Sequence, residues 1–84
     1  MDRKELEIGI VTTMRRVGSP LCARCLTELV GAEHAADNVD VRVAVTHLGL
    51  LAGEFVFGEA CGRCGAVEHV RNPILRLRTV PNPD

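Results

Sequence analysis

The sequence predicts a single α+β domain with three helices and a β-hairpin. Three observations support this prediction: helix-like apolar spacing in the first 17 residues, a second apolar stretch at 39–52, and a strand-like segment at 54–60. At 84 residues the chain has the length of one domain. Its 46% of hydrophobic residues is typical of a globular protein and not of a disordered one. We therefore treat residues 1–84 as one domain.

The first helix is predicted over residues 3–17. Asp2 can cap its start, with Glu5 three residues further on as in a capping box. The segment Gly18-Ser19-Pro20 ends it, because a proline disfavours helical backbone at the preceding residue. The apolar residues close to one face of a 3.6-residue period are Leu6, Ile10, Met14 and Val17.

A second, short helix is predicted over residues 21–31, ending at Gly31. Its inner face would carry Cys22, Cys25, Leu26 and Leu29. The first two cysteines would then lie at a helix N-terminus, where the helix dipole and unpaired N–H groups lower the pKa of a thiol. A polar connection follows, with Asp37 or Asn38 as a possible cap for the next helix.

Residues 39–52 fit two patterns. Four valines alternate with other residues over 39–46, as in a strand. The same region also carries a helical stripe, and the run from His47 to Ala52 is too apolar for a hairpin turn. We therefore favour a helix. The stripe consists of Val41, Val45, Leu48 and Ala52.

The C-terminal third predicts a β-hairpin. Residues 54–60 form its first strand, the second cysteine pair forms its turn, and residues 66–71 form the return strand. Asn72-Pro73 breaks this strand. A short final strand is expected at 74–78, followed from about residue 79 by a frayed tail.

The four cysteines form two CxxC pairs, Cys22-Ala23-Arg24-Cys25 and Cys61-Gly62-Arg63-Cys64. Two such pairs supply the four thiolates of a tetrahedral site, so Cys22, Cys25, Cys61 and Cys64 predict structural Zn²⁺. Gly65 extends the second pair into a zinc knuckle. An iron–sulfur cluster is the alternative metal centre. The 35 residues between the pairs exceed the spacing of a simple zinc ribbon. If 39–46 were a strand, the fold would become a zinc-ribbon-like sheet with two helices.

The order helix, short helix, helix, hairpin resembles the winged helix-turn-helix domains of bacterial transcription regulators. Residues 25–31 resemble the second helix, 41–52 the third, and 45–56 the run from the recognition helix into the wing. The resemblance implies a zinc-stabilised regulator that binds double-stranded DNA, with the third helix in the major groove. Arg42 would then read guanine. The residues this implies at the DNA are Asn38, Arg42, Thr46, His47, Arg63 and Arg71.

An alternative is a zinc-bound adaptor for protein–protein interaction without DNA binding. Val39, Val43 and Leu50 form a second apolar stripe on the third helix, which suits a protein partner or a homodimer. The net charge of −1 also requires that any DNA contact uses a local patch. Aromatic residues make up 2% of the chain, which argues against base stacking as a binding mode.

Other functions lack the residues they would need. A closed site of four cysteines leaves no metal position for a substrate. We find no paired carboxylates, nucleophile with a base, or glycine-rich phosphate loop, and therefore expect no enzyme and no small-molecule substrate. Without an apolar run long enough for a membrane span or signal peptide, we expect a cytoplasmic protein with reduced cysteines.

Overall fold

Residues 2–78 are described by the computed structural model, and they form three helices and one three-stranded antiparallel sheet. The predicted α+β class is confirmed. The predicted frayed tail from about residue 79 lies outside the described residues. The sheet order is β1-β3-β2. In chain order the elements are α1 (Arg3–Val17), β1 (Leu21–Cys22), α2 (Ala23–Leu26), α3 (Asn38–Leu51), β2 (Phe55–Phe57) and β3 (Ile74–Leu77).

The bounds predicted for the first helix are those of α1. The Asp2 carboxylate accepts a hydrogen bond from the backbone N–H of Lys4 at the start of the helix. At the other end Gly18 adopts a φ of 78°, and its N–H donates to the carbonyl of Met14. This left-handed C-cap is a conformation that glycine adopts at no steric cost. Val17, predicted on the inner face, is instead 43% exposed.

The second helix differs from the prediction at both ends. Leu21–Cys22 form strand β1 because they pair with the first two residues of β3, a partner that local periodicity does not reveal. After α2 the chain forms a π-helical turn, Thr27–Gly31, and a 3₁₀ turn, Ala32–His34. The helical backbone therefore continues past Gly31 and ends at Ala35, which has a φ of 51°.

Helix α3 resolves the ambiguity at 39–46 in favour of the helix. Its start is fixed by a capping box between Asp37 and Asp40, in which each carboxylate accepts a hydrogen bond from the other residue's N–H. This box satisfies two N–H groups that would otherwise lack partners. The alternative fold, a zinc-ribbon-like sheet with two helices, is wrong. The residues of α3 buried against the rest of the protein are Val41, Ala44, Val45 and Leu48.

The return strand predicted at 66–71 is also wrong. Between Gly58 and Pro73, only isolated bridges form, Ala60 with Val67 and His69 with Asn72. The strand that pairs with β2 is β3, which was expected only as a short final strand. β3 is the central strand of the sheet, and its first two residues, Ile74 and Leu75, are fully buried. By contrast, Val67 is 72% exposed and Val70 is 86% exposed.

One hydrophobic core joins all of these elements. It reaches the cysteines on one side, since Cys22, Cys25 and Cys61 belong to it. The fold therefore places three of the four thiols at the edge of the core. Its other fully buried side chains include Leu6, Ile10, Met14, Leu26, Val41, Val45, Ile74 and Leu75.

Candidate metal centre

Three parts of the chain bring the four cysteines together. Cys22 ends β1 and caps α2, while Cys25 lies within α2. Cys61 and Cys64 lie in the long connection between β2 and β3. This connection is held against the start of β1 by a hydrogen bond of 2.7 Å from the N–H of Gly62 to the carbonyl of Pro20.

The four Sγ atoms lie within 4.8 Å of one another. Cys22 Sγ is 3.7 Å from Cys64 Sγ, and Cys25 Sγ is 3.7 Å from Cys61 Sγ. These distances are far longer than a disulfide bond of about 2.05 Å, and all four cysteines are free. The predicted ligands therefore form one group whose spacing suits a metal ion. Cys64 is the exposed member, whereas the other three are buried.

Backbone N–H groups point at the sulfurs. Cys25 N–H donates to Cys22 Sγ over 3.4 Å, and Cys22 N–H donates to Cys61 Sγ over 3.3 Å. Arg63 N–H is a second donor to Cys61 Sγ, at 3.4 Å. Such N–H groups stabilise negative charge on sulfur, which is the form that binds a metal.

The buried thiols differ in how readily they ionise. At Cys61, burial opposes ionisation, but the N–H groups of Cys64, Arg63 and Cys22 outweigh it and lower the pKa to about 6. At Cys25, burial raises the pKa to about 12, although Arg63 acts in the opposite direction. The prediction that the start of the second helix lowers the thiol pKa is therefore wrong for Cys25.

Two glycines shape the knuckle in different ways. Gly65 has a φ of 79° and donates its N–H to the carbonyl of Cys61, which closes the turn around the second pair. Glycine adopts this left-handed conformation at no steric cost. Gly62 matters for its lack of a side chain, since a Cβ atom there would lie 2.9 Å from Cβ of Ser19.

The side chain of Arg63, in the knuckle, forms an ion pair. Its Nη1 donates to Oε1 of Glu28 at 2.6 Å, and both side chains are substantially exposed. The interaction with Glu28 raises the pKa of the Arg63 side chain further above its already high value. The ion pair ties the second cysteine pair to the π-helical turn that follows α2. Arg63 was predicted to contact DNA, where it could hold a phosphate, but in the structure it is paired with Glu28.

Three of the residues predicted to contact DNA line one groove beside α3: Arg42, Thr46 and His47. Arg3 of α1 lines it too. Thr46 Oγ1 donates to the carbonyl of Arg42 at 2.9 Å, and His47 Nδ1 lies 2.7 Å from Oε2 of Glu7. The His47–Glu7 pair links α3 to α1. Because 40 residues separate the two, no local sequence pattern indicates this contact.

Asn38 and Arg71, also predicted at the DNA, lie in a different pocket. Asn38 Nδ2 donates to Oγ1 of Thr27 at 3.4 Å. The six predicted residues therefore divide into the groove, this pocket, and Arg63 at the knuckle. The pocket is lined by Arg24, Thr27, Glu28, Asn38, Arg71 and Asn72.

The apolar stripe predicted on α3 is exposed. Val39 is 57% exposed, Val43 is 41% exposed and Leu50 is 69% exposed. Val39 and Val43 share the groove with Val70, which comes from the connection between β2 and β3. Val70 was not predicted at this surface, because residues 66–71 were expected to form a strand.

Comparison with known protein families, with curated proteins and with solved structures gives no match for this chain. Within residues 2–78, no helix has both the length and the apolar character needed to span a membrane.

Proposed function

We propose that the four cysteines bind one structural Zn²⁺ ion. Four thiolates at Zn–S distances of about 2.3 Å form a tetrahedron whose edges measure about 3.8 Å. The Sγ–Sγ distances of 3.7 Å for Cys22–Cys64 and for Cys25–Cys61 are close to this edge length. The same closeness favours a single ion over an iron–sulfur cluster, which would place several atoms between its cysteine ligands.

The metal in this proposal has a structural role. All four tetrahedral positions would be taken by protein sulfur, so no position remains for water or substrate. The ion would join the start of α2 to the connection between β2 and β3. It would also permit Cys25 to ionise in spite of its raised pKa, because a bound cation favours the thiolate strongly.

For the whole domain, we propose a winged helix-turn-helix that binds double-stranded DNA as a transcription regulator. Support comes from the chain order α1-β1-α2-α3-β2-β3 and from the sheet order β1-β3-β2, both of which are typical of winged helices. In this interpretation α3 is the recognition helix. The connection from Gly58 to Pro73, which carries the knuckle, is the wing.

The observation that carries the DNA proposal is the presence of two arginines without ion-pair partners in the groove beside α3. Arg42 and Arg3 line it together with Thr46 and His47. Neither arginine has an ion-pair partner among residues 2–78. A local positive patch is what a chain with a net charge of −1 needs to approach DNA. Arg42 has the planar fork that recognises guanine in the major groove.

A second candidate function is the zinc-bound adaptor that binds a protein. The exposure of Val39, Val43 and Leu50 favours it, and Val70 at 86% exposure adds to the same surface. Contiguous exposed apolar residues mark interaction sites. A second copy of the chain is one such partner, so the predicted homodimer remains compatible with either function.

Binding to duplex DNA at a series of salt concentrations separates the two candidates. Phosphate contacts make affinity fall steeply with salt, whereas an apolar interface does not behave in this way. We expect Arg42→Ala to lose about 1–3 kcal/mol of discrimination between the preferred sequence and others. The matched control is Arg16→Ala, since Arg16 lines neither the groove nor the pocket. Equal effects of Arg42→Ala and Arg16→Ala on DNA discrimination would contradict the DNA proposal. So would binding to a protein partner that Val43→Ser abolishes.

A further inference from the structure

We propose that the pocket between α2 and the end of the wing binds a phosphate group, through Arg24 and Arg71. This rests on the proposed DNA-binding function and names the contact that would hold the DNA backbone. The pocket has a volume of about 250 Å³. It replaces Arg63 as the principal phosphate site, because Arg63 is already paired with Glu28.

The charges at this pocket favour an anion. Arg24 and Arg71 are both exposed, and neither has an ion-pair partner among the described residues. The carboxylate of Glu28 also lines the pocket, but its charge is matched by Arg63 at 2.6 Å. Two positive charges are therefore left for a ligand. Guanidinium groups match phosphate oxygens well because they can donate two parallel hydrogen bonds.

The uncharged polar side chains of the pocket are held in place. Arg24 N–H donates to Oδ1 of Asn72 over 2.9 Å, so the amide nitrogen of Asn72 remains as a donor. Thr27 Oγ1 donates to the carbonyl of Ala23 and accepts from Asn38. These hydrogen bonds hold the uncharged side chains of Asn72, Thr27 and Asn38. The exposed side chains of Arg24 and Arg71 become ordered only when a ligand binds, which has an entropic cost.

The start of α3 does not supply the positive charge. The N–H groups of Asp37 and Asp40 donate to each other's carboxylates in the capping box at its start. These carboxylates oppose an anion nearby, so the two arginines must carry the interaction. Arg24 lies inside the first CxxC pair and Asn72 follows the second along the chain. The pocket therefore spans the two parts of the chain that the metal would join.

The direct test follows backbone amide signals of the zinc-loaded protein by NMR while inorganic phosphate is added. We expect the amides of Arg24, Thr27 and Asn72 to shift together and to saturate with one apparent Kd. The double variant Arg24→Gln/Arg71→Gln should lose the saturation and keep a folded spectrum, while Arg16→Gln should behave as the wild type. Absence of saturation in the wild type, or equal saturation in the double variant, would overturn the proposal.

DNA titrations of the same proteins identify the source of the phosphate. If the DNA backbone is the ligand, each single variant, Arg24→Gln or Arg71→Gln, should lower the slope of log affinity against log salt by about 0.9. If the wild type binds inorganic phosphate at this pocket but binds no DNA, the proposed function fails while the pocket stands, with a small phosphate compound as its ligand. If DNA binds and both slopes equal that of Arg16→Gln, the pocket proposal fails alone.

Discussion

Gly62 shows how a single residue positions the second cysteine pair. Its N–H donates to the carbonyl of Pro20 at 2.7 Å. A Cβ atom at this position would lie 2.9 Å from Cβ of Ser19 and 3.3 Å from the same carbonyl. The absence of a side chain therefore permits the wing to approach the start of β1, which is the approach that brings Cys61 to Cys22.

We predict that Gly62→Ala lowers the free energy of unfolding of the metal-bound protein by about 1–3 kcal/mol, the usual cost of overpacking. Denaturant unfolding in the presence of zinc measures it. The control is Gly53→Ala, where an added Cβ meets no atom within 4 Å. That variant should be neutral or gain up to about 1 kcal/mol from reduced chain entropy. Similar stability of the two variants would contradict the role given to Gly62.

At the scale of elements, the first and third helices were predictable and the hairpin was not. The helices carry their own periodicity and caps, so local sequence defines them. Which segment pairs with β2 depends on which segment is buried against the hydrophobic core. Val67 and Val70 lie in the segment predicted as the return strand but remain exposed, while Ile74 and Leu75 take the central position and are buried. Local patterns do not encode that choice.

The capping box of α3 gives a prediction at this scale. Asp37→Ala removes the acceptor for the N–H of Asp40, which lies at 2.9 Å. We expect a loss of about 0.5–2 kcal/mol in the free energy of unfolding, as for other N-cap residues. Asp37→Asn should retain most of it because asparagine caps nearly as well. Glu33→Ala, in the exposed 3₁₀ turn, is the surface control and should change stability by less than about 0.5 kcal/mol. If Glu33→Ala costs as much as Asp37→Ala, the capping account is wrong.

At the scale of the whole molecule, the cysteine cluster was predictable and its surroundings were not. The spacing of two CxxC pairs identified all four sulfurs that the fold brings within 4.8 Å. The contacts of Arg63 with Glu28 and of Arg24 with Asn72 join residues 35 and 48 positions apart. Such contacts follow from the tertiary fold, and no local sequence pattern predicts them. Of the two arginines in the proposed phosphate pocket, Arg71 was predicted at the DNA from the sequence, whereas Arg24 was identified only from the structure.

Under the proposed zinc site, the metal also decides whether the whole chain folds. A structural zinc ion contributes of order 10 kcal/mol in small domains, which is comparable to the total stability of about 5–15 kcal/mol of a typical protein. A hydrophobic core built from 84 residues, with only two aromatic side chains, contributes little net stability unless the metal is bound. We therefore propose that the chain folds only when zinc is bound.

Native mass spectrometry of freshly purified protein, without added metal, tests this claim most directly because it reports bound metal, compactness and subunit number together. We predict the mass of the 9.1 kDa chain, or of its dimer, with one zinc ion per chain in a narrow distribution of low charge states. After chelation the same sample should shift to the broad, high charge states of an unfolded chain. A compact, metal-free chain with four titratable thiols would contradict the account.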